Sequence, residues 1–414
     1  MSDSQTTPAS DSGVAAIIGE NVQNSAESMA LLRDAPWQWW RNQMPVTEKW
    51  VYLDHAAVGP LTQPAATAIA RYADEACREG DTVWPDWNRR LESLRDSAAS
   101  LVGAERDEVF LIPNTSTGIN VVAEGFPWKP GDNVVVPEGE FPSNLFPWQN
   151  QGSKGVEIRQ VSRRGHAISV EDLIENTDEN TRVIAVSWVG YASGFRVDLE
   201  SLIERAHDRG ILVFVDAIQG MGVFDLNVAD LDVDFLAADG HKWMLGPEGM
   251  GFGVIRSRHL DSLRCTNVGW MSVRDTFNYS QPELQLRPSA ARFEPGSPNM
   301  VSSAALAASL SLFLSVREHH GPTAIENRIL DLVESLRERL EANSLPSEIP
   351  ADRSNRSGIV TLQVPGQDPA QVRSHLLDRQ IVTSCRGGGI RVALHAYNNE
   401  KDLDRLIEAL RELR

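Results

Sequence analysis

Four apolar runs, at residues 109–112, 133–136, 183–187 and 211–215, are mostly Val, Ile, Leu and Phe with no polar alternation. Such runs mark strands covered on both faces, as in a parallel sheet. A further strand-like run covers 233–237. Between these runs, residues 65–78, 89–101, 170–175 and 199–208 carry apolar positions at helical spacing. The alternation predicts an α/β domain with a mostly parallel sheet. A long helix is expected at 302–318, and beyond Pro322 the pattern changes. Helices at 325–343, 369–379 and 401–413 then alternate with strands at 358–364 and 389–393, an α+β pattern with less strand content. The implied organisation is a tail (1–27), an N-terminal segment packing on the small domain (28–60), a large α/β domain (61–300) and a small C-terminal domain (301–414).

The length of 414 residues suits two or three packed units. The formal net charge of −18 excludes the basic field that nucleic-acid or anionic-membrane binding requires. Cys77, Cys265 and Cys385 are too few and too scattered for a disulfide framework or a cysteine-rich zinc site. The N-terminus lacks the charge and apolar pattern of a secretory signal, and no run of 18 uninterrupted apolar residues suggests a membrane span. A cytoplasmic protein is the expectation.

The most informative chemistry lies between Ile211 and Gly253. A buried-type strand ends in Asp216, at the edge where open α/β sheets bind ligands. Gln219 follows, and then Gly240-His241-Lys242 on a glycine-rich turn. A partly desolvated lysine is a nucleophilic amine suited to a Schiff base. A strand-end aspartate can hold a pyridinium nitrogen protonated, which makes the ring an electron sink. Lys242 and Asp216 are thus the minimum set for pyridoxal phosphate chemistry. No phosphate-loop motif of the G-x-x-x-x-G-K-[ST] type is present, so the glycines between 246 and 253 read as turn residues. Trp84 and Trp87, flanking a proline, read as packing residues in a loop.

The block resembles the class V aminotransferase family, fold-type I pyridoxal-phosphate enzymes that include cysteine desulfurases, selenocysteine lyases, kynureninases and isopenicillin N epimerase. Other segments resemble the family in the same order. They are Tyr52-Leu53-Asp54-His55-Ala56-Ala57, Asn114 to Asn120, Glu140-Phe141-Pro142-Ser143-Asn144, Phe293 to Asn299, and Arg391 with Tyr397-Asn398. The resemblance implies a large domain with a seven-stranded-type sheet. It implies pyridoxal 5′-phosphate on Lys242, with Asp216 at the pyridine nitrogen and Gln219 at the ring hydroxyl. Thr115, Ser116 and His241 would hold the phosphate, Phe141 would stack on the ring, and Arg391 would grip the substrate carboxylate. Ser297 would complete the phosphate site of a neighbouring subunit, which implies a homodimer acting on a small-molecule amino-acid substrate.

Reaction type is where this chain departs from the desulfurases it resembles. Phe141 stands where they stack a histidine. Cys385 lies only six positions before Arg391, too close to resemble their mobile cysteine loop. Trp188 replaces a substrate-contacting asparagine and would fill part of the pocket. Asp239 stands where a small hydroxyl residue contacts phosphate, and is expected to turn away or meet Arg or His. The family implies desulfurase- or lyase-like chemistry, with transamination or epimerisation as alternatives. A catalytically silent cofactor-binding protein is the alternative from another class. A sulfur-acceptor partner would require a persulfide on Cys385, against which its position speaks.

Overall fold

The computed structural model describes residues 25–413 apart from His166 and Gln281, so positions 1–24 of the predicted tail lie outside the described residues. A seven-stranded sheet runs in the order Val109–Ile112, Gly251–Ile255, Phe235–Asp239, Leu212–Asp216, Thr181–Ser187, Asn133–Pro137, Glu157–Val161. Gly251–Ile255 is antiparallel to both neighbours, and the other pairings are parallel. Val109–Ile112, Asn133–Pro137 and Phe235–Asp239 are buried along their length, which accounts for their apolar runs.

Two of these strands depart from the pattern that predicts the others. Glu157–Val161 is an edge strand with partly exposed polar positions. Gly251–Ile255 occupies the stretch read as turn glycines. A Cβ at Gly251 would come 2.3 Å from the Ala238 carbonyl oxygen, and one at Gly253 would come 2.5 Å from the Phe110 ring. These glycines therefore let a central strand approach its neighbours.

Trp84 and Trp87 open the Trp84–Val102 helix rather than a loop. Trp87 donates to Glu75 Oε2 (2.9 Å), and Glu75 also pairs with Arg90 (2.7 Å). Met300–His320 packs against Gln63–Arg78 and Trp84–Val102, so the structural break follows this helix instead of preceding residue 301. By length and apolarity that helix could span a membrane, yet 67% of its most apolar stretch is buried in the protein.

The N-terminal segment serves both domains. Leu32, Trp39, Trp40 and Met44 join the main core, while Arg41 pairs with Asp402 (2.8 Å) and the Trp40 ring meets His395 (centroids 5.3 Å) in the small domain. Val51–Tyr52 pairs in parallel with Ile381–Val382 of the small domain. The small domain is an antiparallel sheet ordered Ser384–Arg386, Gly389–Ala393, Ile359–Leu362, Ser347–Glu348. Its own core draws on the Ala324–Ala342, Pro369–Asp378 and Glu400–Arg411 helices.

Candidate active site

Lys242 sits on the turn after Phe235–Asp239, and that turn is clamped from several directions. Gly59 N–H donates to the His241 carbonyl (2.7 Å), and Ser309 Oγ donates to the Met244 carbonyl (2.8 Å). Trp243 is buried, donates Nε1–H to Gln219 Oε1 (2.8 Å), and lends its carbonyl to His395 Nε2 (3.0 Å). Buried Leu245 closes the turn with φ +56°, a strained conformation for a side-chain-bearing residue. Lys242 Nζ lies 5.7 Å from the centroid of the half-exposed Phe141 ring. Burial lowers the Lys242 pKa, opposed by Asp216, while the Arg391 charge lowers it further.

Asp216 ends its strand buried, and its Oδ1 accepts the Ile218 N–H (3.1 Å). Burial pushes its pKa up, with nearby Glu140 adding to the rise. Such a carboxyl is fully ionised only beside a cation. Glu140 itself is tied to Ser187 through the backbone N–H (2.9 Å) and the hydroxyl. Gln219 is buried and donates one amide N–H to the Ala56 carbonyl (3.0 Å); an amide carries a second N–H.

The Thr115–Gly125 helix brings its N-terminus to the same sheet edge. Asn114 caps it by accepting from Thr117 N–H. Gly118 allows close packing, since a Cβ there would meet Ala237 Cβ at 2.7 Å. Thr115 Oγ1 accepts the Asp239 N–H (3.0 Å), and Ser116 Oγ donates to Ser143 Oγ (2.8 Å). A helix start with such orphan N–H groups suits an anion. Asp239 meets His241, Oδ2 to Nδ1 at 2.8 Å, but off the hydrogen-bonding direction; Asp239 Oδ1 is buried without a partner.

Arg391 is buried in the Gly389–Ala393 strand. Its Nη2 reaches Asp54 Oδ1 (3.2 Å), Nε donates to Ser384 Oγ (3.1 Å), and Nη1 donates to the Tyr191 carbonyl (2.9 Å). Trp188 is buried, and its backbone N–H donates to the Asp216 carbonyl (2.9 Å). Its ring lies where a Cβ on Gly220 would come within 2.4 Å, and it packs against Phe224 at 5.3 Å. Tyr191, three residues on, presents its ring to Phe141 instead (centroids 5.3 Å). Ser297 is exposed, and no hydrogen bond among the described residues ties it to the others. Glu140, Asp54, Ser384 and Tyr191 are the participants that sequence reasoning passed over. Asp54 and Glu140 carried a signal, since each lies in a segment that resembles the family, although no role followed from it.

A buried carboxyl, a desolvated amine facing an aromatic ring, an anion-receptive helix start and a buried guanidinium fit pyridoxal phosphate and an amino acid. Fold and site together define a fold-type I pyridoxal-phosphate enzyme. The profile described as aminotransferase class-V matches residues 51–406, and the chain belongs to that family. A probable cysteine desulfurase of Methanothermobacter thermautotrophicus is 29% identical over 397 residues, covering 90% of this chain and 97% of that protein. Isopenicillin N epimerase of Streptomyces clavuligerus is 25% identical over 397 residues, covering 91% of this chain and 98% of the relative. Among solved structures, an apo cysteine desulfurase from Thermococcus onnurineus superposes with a TM-score of 0.81 at 27% identity, covering 91% of this chain and 97% of the other. The protein is a pyridoxal-phosphate-dependent enzyme of desulfurase-, lyase- or transaminase-like type.

Proposed function

We propose that the protein catalyses β-elimination from an L-amino acid carrying a sulfur leaving group. Pyridoxal phosphate, when bound, supplies the electron sink for the pair released at the substrate's α-carbon. Lys242 Nζ holds the cofactor and then takes the proton from the α-carbon, a role favoured by an amine whose basicity burial has lowered. Asp216 keeps the proton on the pyridine nitrogen, and Gln219 offers its spare N–H to the ring hydroxyl. Thr115 and Ser116, with His241, grip the phosphate, and Phe141 covers one face of the ring. Arg391 orients the substrate carboxylate through its planar fork. Loss of the α-proton and of the sulfur group from the β-carbon yields, after hydrolysis, pyruvate, ammonia and the free sulfur species.

The observation that carries elimination over sulfur transfer is the placement of Cys385. It lies on a paired strand, and its Sγ donates to the Pro369 carbonyl (3.3 Å). A persulfide-carrying nucleophile needs a mobile, reactive thiolate. The same reading makes the enzyme a homodimer, in which exposed Ser297 completes the phosphate site of the second copy.

Product analysis with L-cysteine and L-cystine tests the reading. Pyruvate and ammonia in equal amounts, retained in Cys385→Ser, are expected. Alanine formation with a persulfide on Cys385 would establish desulfuration onto the protein instead. Amino transfer to a keto acid, or inversion of the substrate, would establish the transaminase or epimerase alternative. A homodimer mass by light scattering is expected, with cofactor affinity falling in Ser297→Ala.

A further inference from the structure

A pocket of about 410 Å³ opens beside the carboxylate clamp, lined by Asp54, Ala57, Arg373, Ser384, Cys385 and Arg386. Asp54 and Ser384 are also the two side chains bonded to Arg391, so the pocket begins one side chain away from that guanidinium. The Asp54 Oδ1 facing this cluster is already engaged, accepting from Ser384 Oγ (2.7 Å) as well as from Arg391. Arg373 and Arg386 have no carboxylate within ion-pair distance among the described residues, whereas most arginines of this acidic chain do.

Both arginines are tethered by backbone carbonyls. Arg373 Nε donates to the Thr383 carbonyl (3.0 Å), and Arg386 Nη1 donates to the Cys385 carbonyl (2.7 Å). Arg386 pairs with Gly389 across a two-residue turn, Gly387-Gly388, with φ of +59° and +78°. Positive φ at both turn positions matches the strand twist and makes a tight hairpin, so Arg386 is presented from a fixed strand end. Burial lowers the Arg391 pKa, Asp54 opposes that, and the charge of Arg386 adds to the lowering. The result is a cup with surplus positive charge in a chain of net charge −18.

We propose that this cup is a second anion-binding subsite, in which Arg386 and Arg373 bind an acidic group at the far end of the substrate's side chain. The inference rests on the elimination reading and names its substrate class: amino acids with an α-carboxylate for Arg391 and a distal carboxylate or sulfinate for the second pair. Planar guanidinium forks suit both anions, because each offers two oxygens in the plane of the donors.

The test is titration of the holoenzyme's visible band with L-cysteine sulfinate and L-glutamate, against L-cysteine and S-methyl-L-cysteine. Tighter binding of the acidic set is expected. Arg386→Ala should reduce the acidic-to-neutral ratio of affinities by about 10- to 100-fold, the range for one charge-assisted hydrogen-bonded contact, with Arg386→Lys recovering part of it. The loss should fall on KM rather than kcat for whichever acidic compound turns over. Cysteine sulfinate preferred over glutamate would assign the subsite to a sulfinate, and the reverse to a carboxylate. Equal binding of both sets, or a ratio unmoved by Arg386→Ala, would overturn the subsite while leaving the elimination reading standing. Failure of every amino acid to shift the band would overturn both.

Discussion

Gly59 lies so close to Lys242 that a Cβ on it would sit 2.1 Å from the Lys242 carbonyl oxygen. The contact is with backbone, which cannot swing aside, and the adjacent Gly59 N–H to His241 carbonyl bond holds the two segments together. The N-terminal segment thereby sets the position of the lysine turn. Gly59→Ala should cost about 1–3 kcal/mol in stability, as overpacking does. It should also displace the lysine enough to weaken the visible cofactor band of protein that remains folded. Denaturant midpoints alongside absorbance spectra would separate the two effects.

Asp54 and Arg391 form a buried pair, with side-chain exposures of 12% and 2%. Arg391→Ala leaves the carboxylate without its cation and should cost about 3–5 kcal/mol. Asp54→Asn combined with Arg391→Gln removes both charges and should be less destabilised, while amino-acid binding stays lost in both. Unfolding curves with substrate titrations of the single and double variants check this.

Asp239 contributes a buried, unpartnered carboxylate oxygen at the helix start. A phosphate bound at that helix would lie near a like charge, which disfavours it. Asp239→Ser, which also supplies a hydroxyl donor, should tighten pyridoxal phosphate binding by about tenfold. Equilibrium dialysis provides the reading, and weaker binding in the variant would show that Asp239 serves the site chiefly through His241.

His55 is fully buried, with Nδ1 on the Ala393 carbonyl (2.8 Å) and Nε2 on Tyr397 Oη (2.6 Å). Burial lowers its pKa to about 4, and burial likewise holds His395 well below its ordinary value. The unfolded chain therefore binds more protons between pH 6.5 and pH 4, so stability from these neutral rings is complete above 6.5 and declines as pH falls towards 4. His55 alone should account for a loss of about 2 kcal/mol between pH 7 and pH 5. Urea unfolding at the two pH values, compared with His55→Gln, measures it.

Much of the fold was legible because local patterns answer to local physics. Val109–Ile112 is buried along its length and reads as an apolar run, and the Val170–Glu175 helix shows its own period and cap. Gly251–Ile255 was illegible because its glycines are there for close approach to Phe110 and Ala238, a requirement that no spacing along the chain records. The order around Lys242, Asp216 and Gln219 was readable because one strand–turn–strand block carries all three.

By itself the sequence determined the α/β class, the lysine–aspartate pair and the family, since these reside in short contiguous patterns and in their order along the chain. Tertiary structure alone decided which aromatic residue faces the site. Trp188 is buried against Gly220 and Phe224, whereas Tyr191, three residues on, carries its ring to Phe141. It likewise decided that Asp54 would meet Arg391 across 337 positions, and that Arg373 and Arg386 would line one pocket. Such meetings depend on how two domains and an N-terminal segment close on one another. A charge's sequence neighbours do not say which distant charge will share its burial.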